Sequence, residues 1–257
     1  MTGRNSNSSW VCDLSEDVEH RRRHDLSLPL AERLTTGLSM PKAATRPFKA
    51  LDGQFLGLCF RWMVFKQLYV SGEKRIALMN EKAPGFLAHL QLVWLDGVVL
   101  GVTRLLDPAQ MRGRLNLTFE QMVHRLEGEE QDYLNALSKS LGELGERCRP
   151  FRMHRNKRIA HSDYNALTSV GNYPFPALPP EQIDAMLKAM EDFMNLVRNR
   201  YDLGNMAYTG VQGAPGADGD ALLWSLAKAA AWDDQYPNVM ENAQRLRETR
   251  YHDAWGG

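Results

Sequence analysis

No run of about 18 apolar residues, the length that spans a bilayer, occurs in the sequence. The opening Met-Thr-Gly-Arg-Asn-Ser-Asn leads into no apolar core of secretory length. Both absences predict a cytoplasmic protein with no membrane partner. Cysteine is scarce: Cys12, Cys59 and Cys148 are odd in number and widely spaced, with no Cys-x-x-Cys pair and no His/Cys cluster. That excludes a disulfide framework and a zinc module of the usual spacing, and no metal or cofactor is expected. Net charge is missing too, because 31 basic side chains cancel 31 acidic ones. No overall field draws the chain to a polyanion, so any nucleic-acid contact must come from a local patch. Strictly alternating β-branched segments and internal repeats are also absent, which argues against a sheet or a solenoid.

What is present has the composition of an ordinary globular protein, with 24% charged and 44% hydrophobic residues in 257. Residues 1–47 are polar, contain Arg21-Arg22-Arg23 and show no sustained apolar period, so a loosely structured extension is expected there. From there on the apolar spacing is helical. Helices are predicted over 52–70, 73–81 and 84–106, with Pro84 tolerated in a first turn and Asp107-Pro108 as a stop. Thr118 followed by Gln121 fits a capping box opening a helix that runs to about 127, and Leu134, Leu137, Leu141 and Leu144 define another over 129–147. Pro150 should break it, and a helix carrying 155–165 should follow. Ile183, Leu187, Met190, Met194, Val197 and Tyr201 mark the clearest amphipathic helix, 181–201. After it comes a Gly-rich segment, 202–220, expected to be a flexible connector, then helices over 221–232 and 237–250 with Trp224 and Trp232 as core. The fold class is an all-α bundle, with 48–201 as the main helical domain and 202–257 as connector and C-terminal helices.

Chemistry concentrates between Arg147 and Ser162, where Arg147, Arg149, Arg152, Arg155, Lys157 and Arg158 stand with His154 and His161 and no acid. One reading is a solvated helix face. The other is a phosphate-binding surface, since Arg and Lys supply the donors that hold a nucleic-acid backbone. His161 adds a side chain suited to proton transfer near neutrality.

Arg155-Asn156-Lys157-Arg158-Ile159-Ala160-His161 resembles the signature of the HEPN superfamily (higher eukaryotes and prokaryotes nucleotide-binding): an Arg and a His separated by four to six residues, with a polar residue after the Arg. Other Arg/His pairs here also satisfy that spacing, among them Arg149 with His154 and Arg247 with His252. The Arg155 pair has no intervening proline and is followed by Asp163. Leu95-Asp96, Val102-Thr103-Arg104-Leu105-Leu106-Asp107-Pro108 and Asn116-Leu117-Thr118 are similar to upstream blocks of the abortive-infection type U group of HEPN-like proteins. The resemblance implies a helical bundle that dimerises with two Arg/His pairs face to face, and in many members a metal-independent RNase of toxin or phage-defence systems. In other members only binding remains.

On that resemblance, Arg155 clamps a phosphate, His161 assists proton transfer, Asn156 orients one of them, and Arg152, Lys157 and Arg158 contact RNA. The expected partners are RNA, a second copy of the chain, and an antitoxin or other defence-system protein. A regular helix sets positions six apart about 120° apart around its axis. Convergence therefore requires Arg155 near a helix start, on an unwound turn, or facing the second subunit. Asp96, Arg104 and Asp107 interrupt an apolar segment, with Asp163 as a further supporting acid. They form either a helix-end ion pair with solvent or an acid that orients Arg155 or seals the dimer. Tyr164 lies three residues after His161, where related toxins carry a modified tyrosine two residues after, so the same regulation is not expected.

Overall fold

The computed structural model describes residues 38–159 and 178–238, with Glu241 and Arg245. Of the predicted helix over 237–250 only residues 237 and 238, Glu241 and Arg245 are described, the last two helical; the Arg21-Arg22-Arg23 run and the segment holding His161, Asp163 and Tyr164 lie outside the described residues. The chain divides at Leu38 into two units, and the fold described is that of the second.

Its axis is α1 (Lys42–Tyr69). Ala44, Phe48, Leu51, Phe55, Leu58, Trp62 and Phe65 recur at steps of three and four, and all are buried. The helix begins ten residues before the predicted start at Asp52, with Pro47 inside it. Pro47 removes one backbone donor and disfavours the helix there, but burial of Ala44 and Phe48 on either side offsets that cost. Helices α2 (Glu73–Lys82) and α3 (Pro84–Leu105) follow, and Pro84 occupies the first turn of α3 as expected. Val98, Val99, Val102 and Leu105 of α3 are buried in the core that α1 organises, and Gly101 lets the two helices close up. A Cβ there would stand 2.6 Å from Leu58 Cδ1. By length and composition α3 is apolar enough to cross a membrane. In this fold its C-terminal half packs inward, while Phe86, Leu92 and Val93 of its first half are exposed.

A two-residue antiparallel pair, β1 (Gln110–Met111) with β2 (Arg114–Leu115), was not expected from the sequence. Its turn is Arg112-Gly113, both with positive φ (50° and 78°), the tight reversal that suits hairpin twist. The expected Thr118 cap is present: its hydroxyl accepts from Gln121 N at 3.1 Å and opens α4 (Phe119–Arg125). Helices α5 (Gln131–Arg147), α6 (Arg149–His154) and α7 (Pro180–Arg200) complete the main bundle. All six apolar residues predicted for α7 and its end, from Ile183 to Tyr201, are buried.

The helix expected over 129–147 does stop at Arg147, and Pro150 sits in the first turn of the separate α6, where its missing N–H is no loss. Two expectations need correction. The Gly-rich segment is not a loose connector throughout: Tyr208, on a 3-10 turn (Tyr208–Gly210), is fully buried beside Phe55 and donates to Asp52. Glu191 of α7 accepts from Thr209 N and Oγ1, both at 2.7 Å, and fixes that turn. Helix α8 (Gly219–Gln235), capped by Asp218, packs on α1 and α2, but Trp224 and Trp232 lie on its exposed side rather than in the core.

Candidate nucleic-acid site at the end of α3

Helix α3 ends at Leu105 and leaves its last carbonyls without helical partners. Helix α6 packs beside that end, anchored by the fully buried Phe151. From α6, Arg152 Nη2 donates to Leu106 O at 2.7 Å and Nη1 to Gly145 O at 3.5 Å. The guanidinium thus ties the end of α3 to α5. Among the residues expected to contact RNA, Arg152 is therefore at least partly a structural clasp.

One turn on, the helix loosens into a π turn, Arg155–Ile159, whose i→i+5 bonding widens the coil. Arg155 begins it. Arg155 Nη1 meets Asp107 Oδ1 at 2.6 Å, and Arg155 Nε donates to Asn156 Oδ1 at 3.1 Å. The two charged side chains are 23% and 18% exposed, so the pair is neither solvent-washed nor sealed. Among the described residues these bonds occupy two of the five guanidinium donors, leaving three.

The carboxylate that meets Arg155 is Asp107, not Asp96. Eleven residues separate the two, about 16 Å of helix at 1.5 Å per residue, so a shared face does not give a shared partner. Asp96 is half-buried further up α3, and Arg104 is exposed one turn before Asp107. Asn156 accepts a hydrogen bond from Arg155 Nε. Lys157 is half-buried, and the Arg158 side chain and the whole of His161 and Asp163 lie outside the described residues. Arg149 is exposed and paired with Glu146.

Cys148, between α5 and α6, has no exposed surface. Burial pushes its thiol up to about 11, although Arg152 and Arg155 pull the other way. It is a neutral packing group under the arginines, as expected of a buried thiol. Among the described residues no group of three His, Cys, Asp or Glu is placed to hold a metal.

Chemically, the arrangement presents a partly desolvated, oriented guanidinium at a helix end, with further cations on the same segment. Such a fork suits a phosphate diester. Residues 42–209 match the HEPN AbiU2 family, described as AbiU2, a span from the start of α1 to the Tyr208 turn. No curated protein and no solved structure matches the chain.

Proposed function

Because the chain belongs to the HEPN AbiU2 family, and so carries an abortive-infection HEPN-like domain, we propose that it is a metal-independent endoribonuclease of phage defence. It works as a homodimer in the cytoplasm, under the control of an antitoxin or other defence partner. The observation that carries the reading is the Asp107–Arg155–Asn156 chain, an arginine held in place at a π turn within the segment that leads to His161. Arg155 binds the scissile phosphate with its remaining donors and stabilises charge on the phosphoryl oxygens. The neighbouring 2′-oxygen bonds to phosphorus as the P–O5′ bond breaks. His161 assists the two proton movements, from the 2′-hydroxyl and to the 5′-oxygen, and the dimer supplies two such imidazoles. Lys157 and Arg158 add backbone contacts.

The test is incubation of RNA with the purified protein in excess EDTA. Fragments ending in 2′,3′-cyclic phosphate are expected, with a loss of about 100- to 10,000-fold on His161→Ala and a far smaller one on Lys157→Ala. Cleavage abolished by EDTA, or fully retained by His161→Ala, removes the assignment. A second reading, an RNA-binding or assembly module without catalysis, is favoured by one observation: Arg152 and Arg155 both spend donors on protein acceptors. RNA binding with no cleavage under any condition selects it.

A further inference from the structure

The loops and helices beside the Arg155 site enclose a trough that the nuclease reading leaves unused. Its first part is a cleft of about 470 Å³ between α4 and α5, lined by Leu106, Val123, Leu141 and Arg152, and Arg152 stands three residues before Arg155 in sequence. Its second part, about 450 Å³, shares Glu120 and His124 with the first and continues to Arg125 and to Gln110 and Leu115 of the hairpin. The hairpin next to it carries Arg112 in its turn and Arg114 on β2, both exposed. A groove therefore leads away from the Arg155 site toward a second cluster of arginines.

We infer that this trough seats the single-stranded RNA flanking the scissile phosphate, with Arg112 and Arg114 holding its backbone. The inference rests on the nuclease or RNA-binding reading and extends it by a substrate-binding path. Apolar walls take the face of an unstacked base, and the exposed His124 offers a ring to stack on. Glu120, braced on the backbone because Ala109 N donates to its Oε2 at 2.8 Å, presents a carboxylate to an exocyclic amine. A duplex hides those base edges and has a stiffer outline, so a single strand is the better fit. In the lining Arg125 and Arg152 balance Glu120 and Glu127, and the exposed Arg112 and Arg114 on the adjoining hairpin add the positive charge.

The trough is deep where α5 carries Gly142 and Gly145. A Cβ at either would meet nothing within 4 Å, so no neighbouring element requires glycine there. Glycine is costly inside a helix relative to alanine, and what it provides here is open space. That property also makes the test clean, since a larger side chain at Gly142 enters the trough without displacing the fold.

The experiment measures anisotropy of a labelled single-stranded RNA of about twelve nucleotides, a length within the usual single-strand footprint, on the full chain over a range of salt concentration. Gly142→Leu is expected to weaken binding at least tenfold with a melting temperature no lower than that of the wild type, since leucine favours the helix over glycine. Arg112→Gln with Arg114→Gln is expected to lower the slope of log affinity against log salt by about 1.4, since each phosphate on a single strand contributes about 0.7. Both variants matching a wild type that binds RNA would overturn the trough while leaving the nuclease reading intact. A wild type that binds no RNA even at low salt overturns both. Equal affinity for a duplex of the same sequence, or displacement by an acidic peptide as readily as by unlabelled RNA, also overturns the assignment, the latter in favour of a protein partner.

Discussion

Replacing Asp107 by asparagine keeps the side chain's size and removes only its charge, so it isolates what the carboxylate does for Arg155. The pair lies at 2.6 Å with 18% of Asp107 and 23% of Arg155 exposed. Exposed ion pairs contribute about 0–1 kcal/mol, and breaking a fully buried one costs about 3–5 kcal/mol because a charge is left stranded. Arg155 is exposed enough to turn its freed guanidinium toward water, which places the cost near the lower range, about 1–2 kcal/mol. For a chain of this size a kcal/mol moves the midpoint by about 2–4 °C, so melting followed by far-UV circular dichroism should fall by about 2–8 °C. RNA cleavage should fall further than stability, by tenfold or more. A similar loss of aim, about 1.4 kcal/mol, is spent wholly on the barrier once the protein is folded. Asp107→Glu restores the charge on a longer arm, so stability should recover more than rate. A variant that melts with wild type and cleaves at full rate would refute the reasoning and reduce the pair to an incidental surface contact.

Arg152→Ala should cost about 1–3 kcal/mol, because it leaves the Leu106 carbonyl at the end of α3 without its donor; denaturant unfolding checks it, and Arg152→Lys should recover part. Burial pushes the Glu191 carboxyl up, but the Lys188 ammonium and the Thr209 N–H and hydroxyl together carry it below its ordinary value. The native value is the lower one, so the contribution to stability is present above the ordinary glutamate range and is lost as pH falls through the lowered value; Glu191→Gln should lower the melting temperature near neutrality and flatten its decline in acid. Gly142→Ala should raise stability by about 1 kcal/mol from helix propensity alone, and a decrease would mean that the open space at that position is not open. Cys148 should react with a thiol reagent only on unfolding, given its burial and raised value, and rapid labelling of the native protein at this position would contradict the packing beneath Arg152.

Most of the bundle was legible because its helices carry one-sided apolar periods. The six α7 positions from Ile183 to Tyr201 are the clearest case, and all six are core. The start of α1 was hidden by a single residue: Ala44, Phe48, Leu51 and Phe55 keep the period, but Pro47 between them reads as a break. The buried turn at Tyr208 was hidden by its neighbours, since glycine and proline after it make the segment look loose. One tyrosine packed against Phe55 and hydrogen-bonded to Asp52 outweighs that local composition. The two tryptophans of α8 failed in the opposite direction. Aromatic content alone does not say which side of a helix has something to pack against, and Lys228 rather than the core covers Trp224.

The site shows where periodicity stops being informative. Spaced eleven apart, Asp96 and Asp107 would share a face of one continuous helix, so their spacing gives no reason to prefer either as the partner of Arg155. The choice is made by where the chain returns: α6 lies across the end of α3, and Arg152 fastens it there by holding Leu106 O. That clasp determines that the next residue, Asp107, faces Arg155 three positions along the returning segment. The acid just past a helix end, before a proline, was visible in Asp107-Pro108, but its pairing depended on a contact spanning almost fifty residues of sequence. The two arginines therefore have separable duties: Arg152 sets the position of the site and Arg155 presents the charge. Loss of Arg152 should then displace Asp107 and Arg155 together, whereas loss of Asp107 releases Arg155 alone. In a double-mutant cycle, Asp107→Asn should cost markedly less in an Arg152→Ala background than in wild type, and additive effects would show that the clasp and the pair act independently.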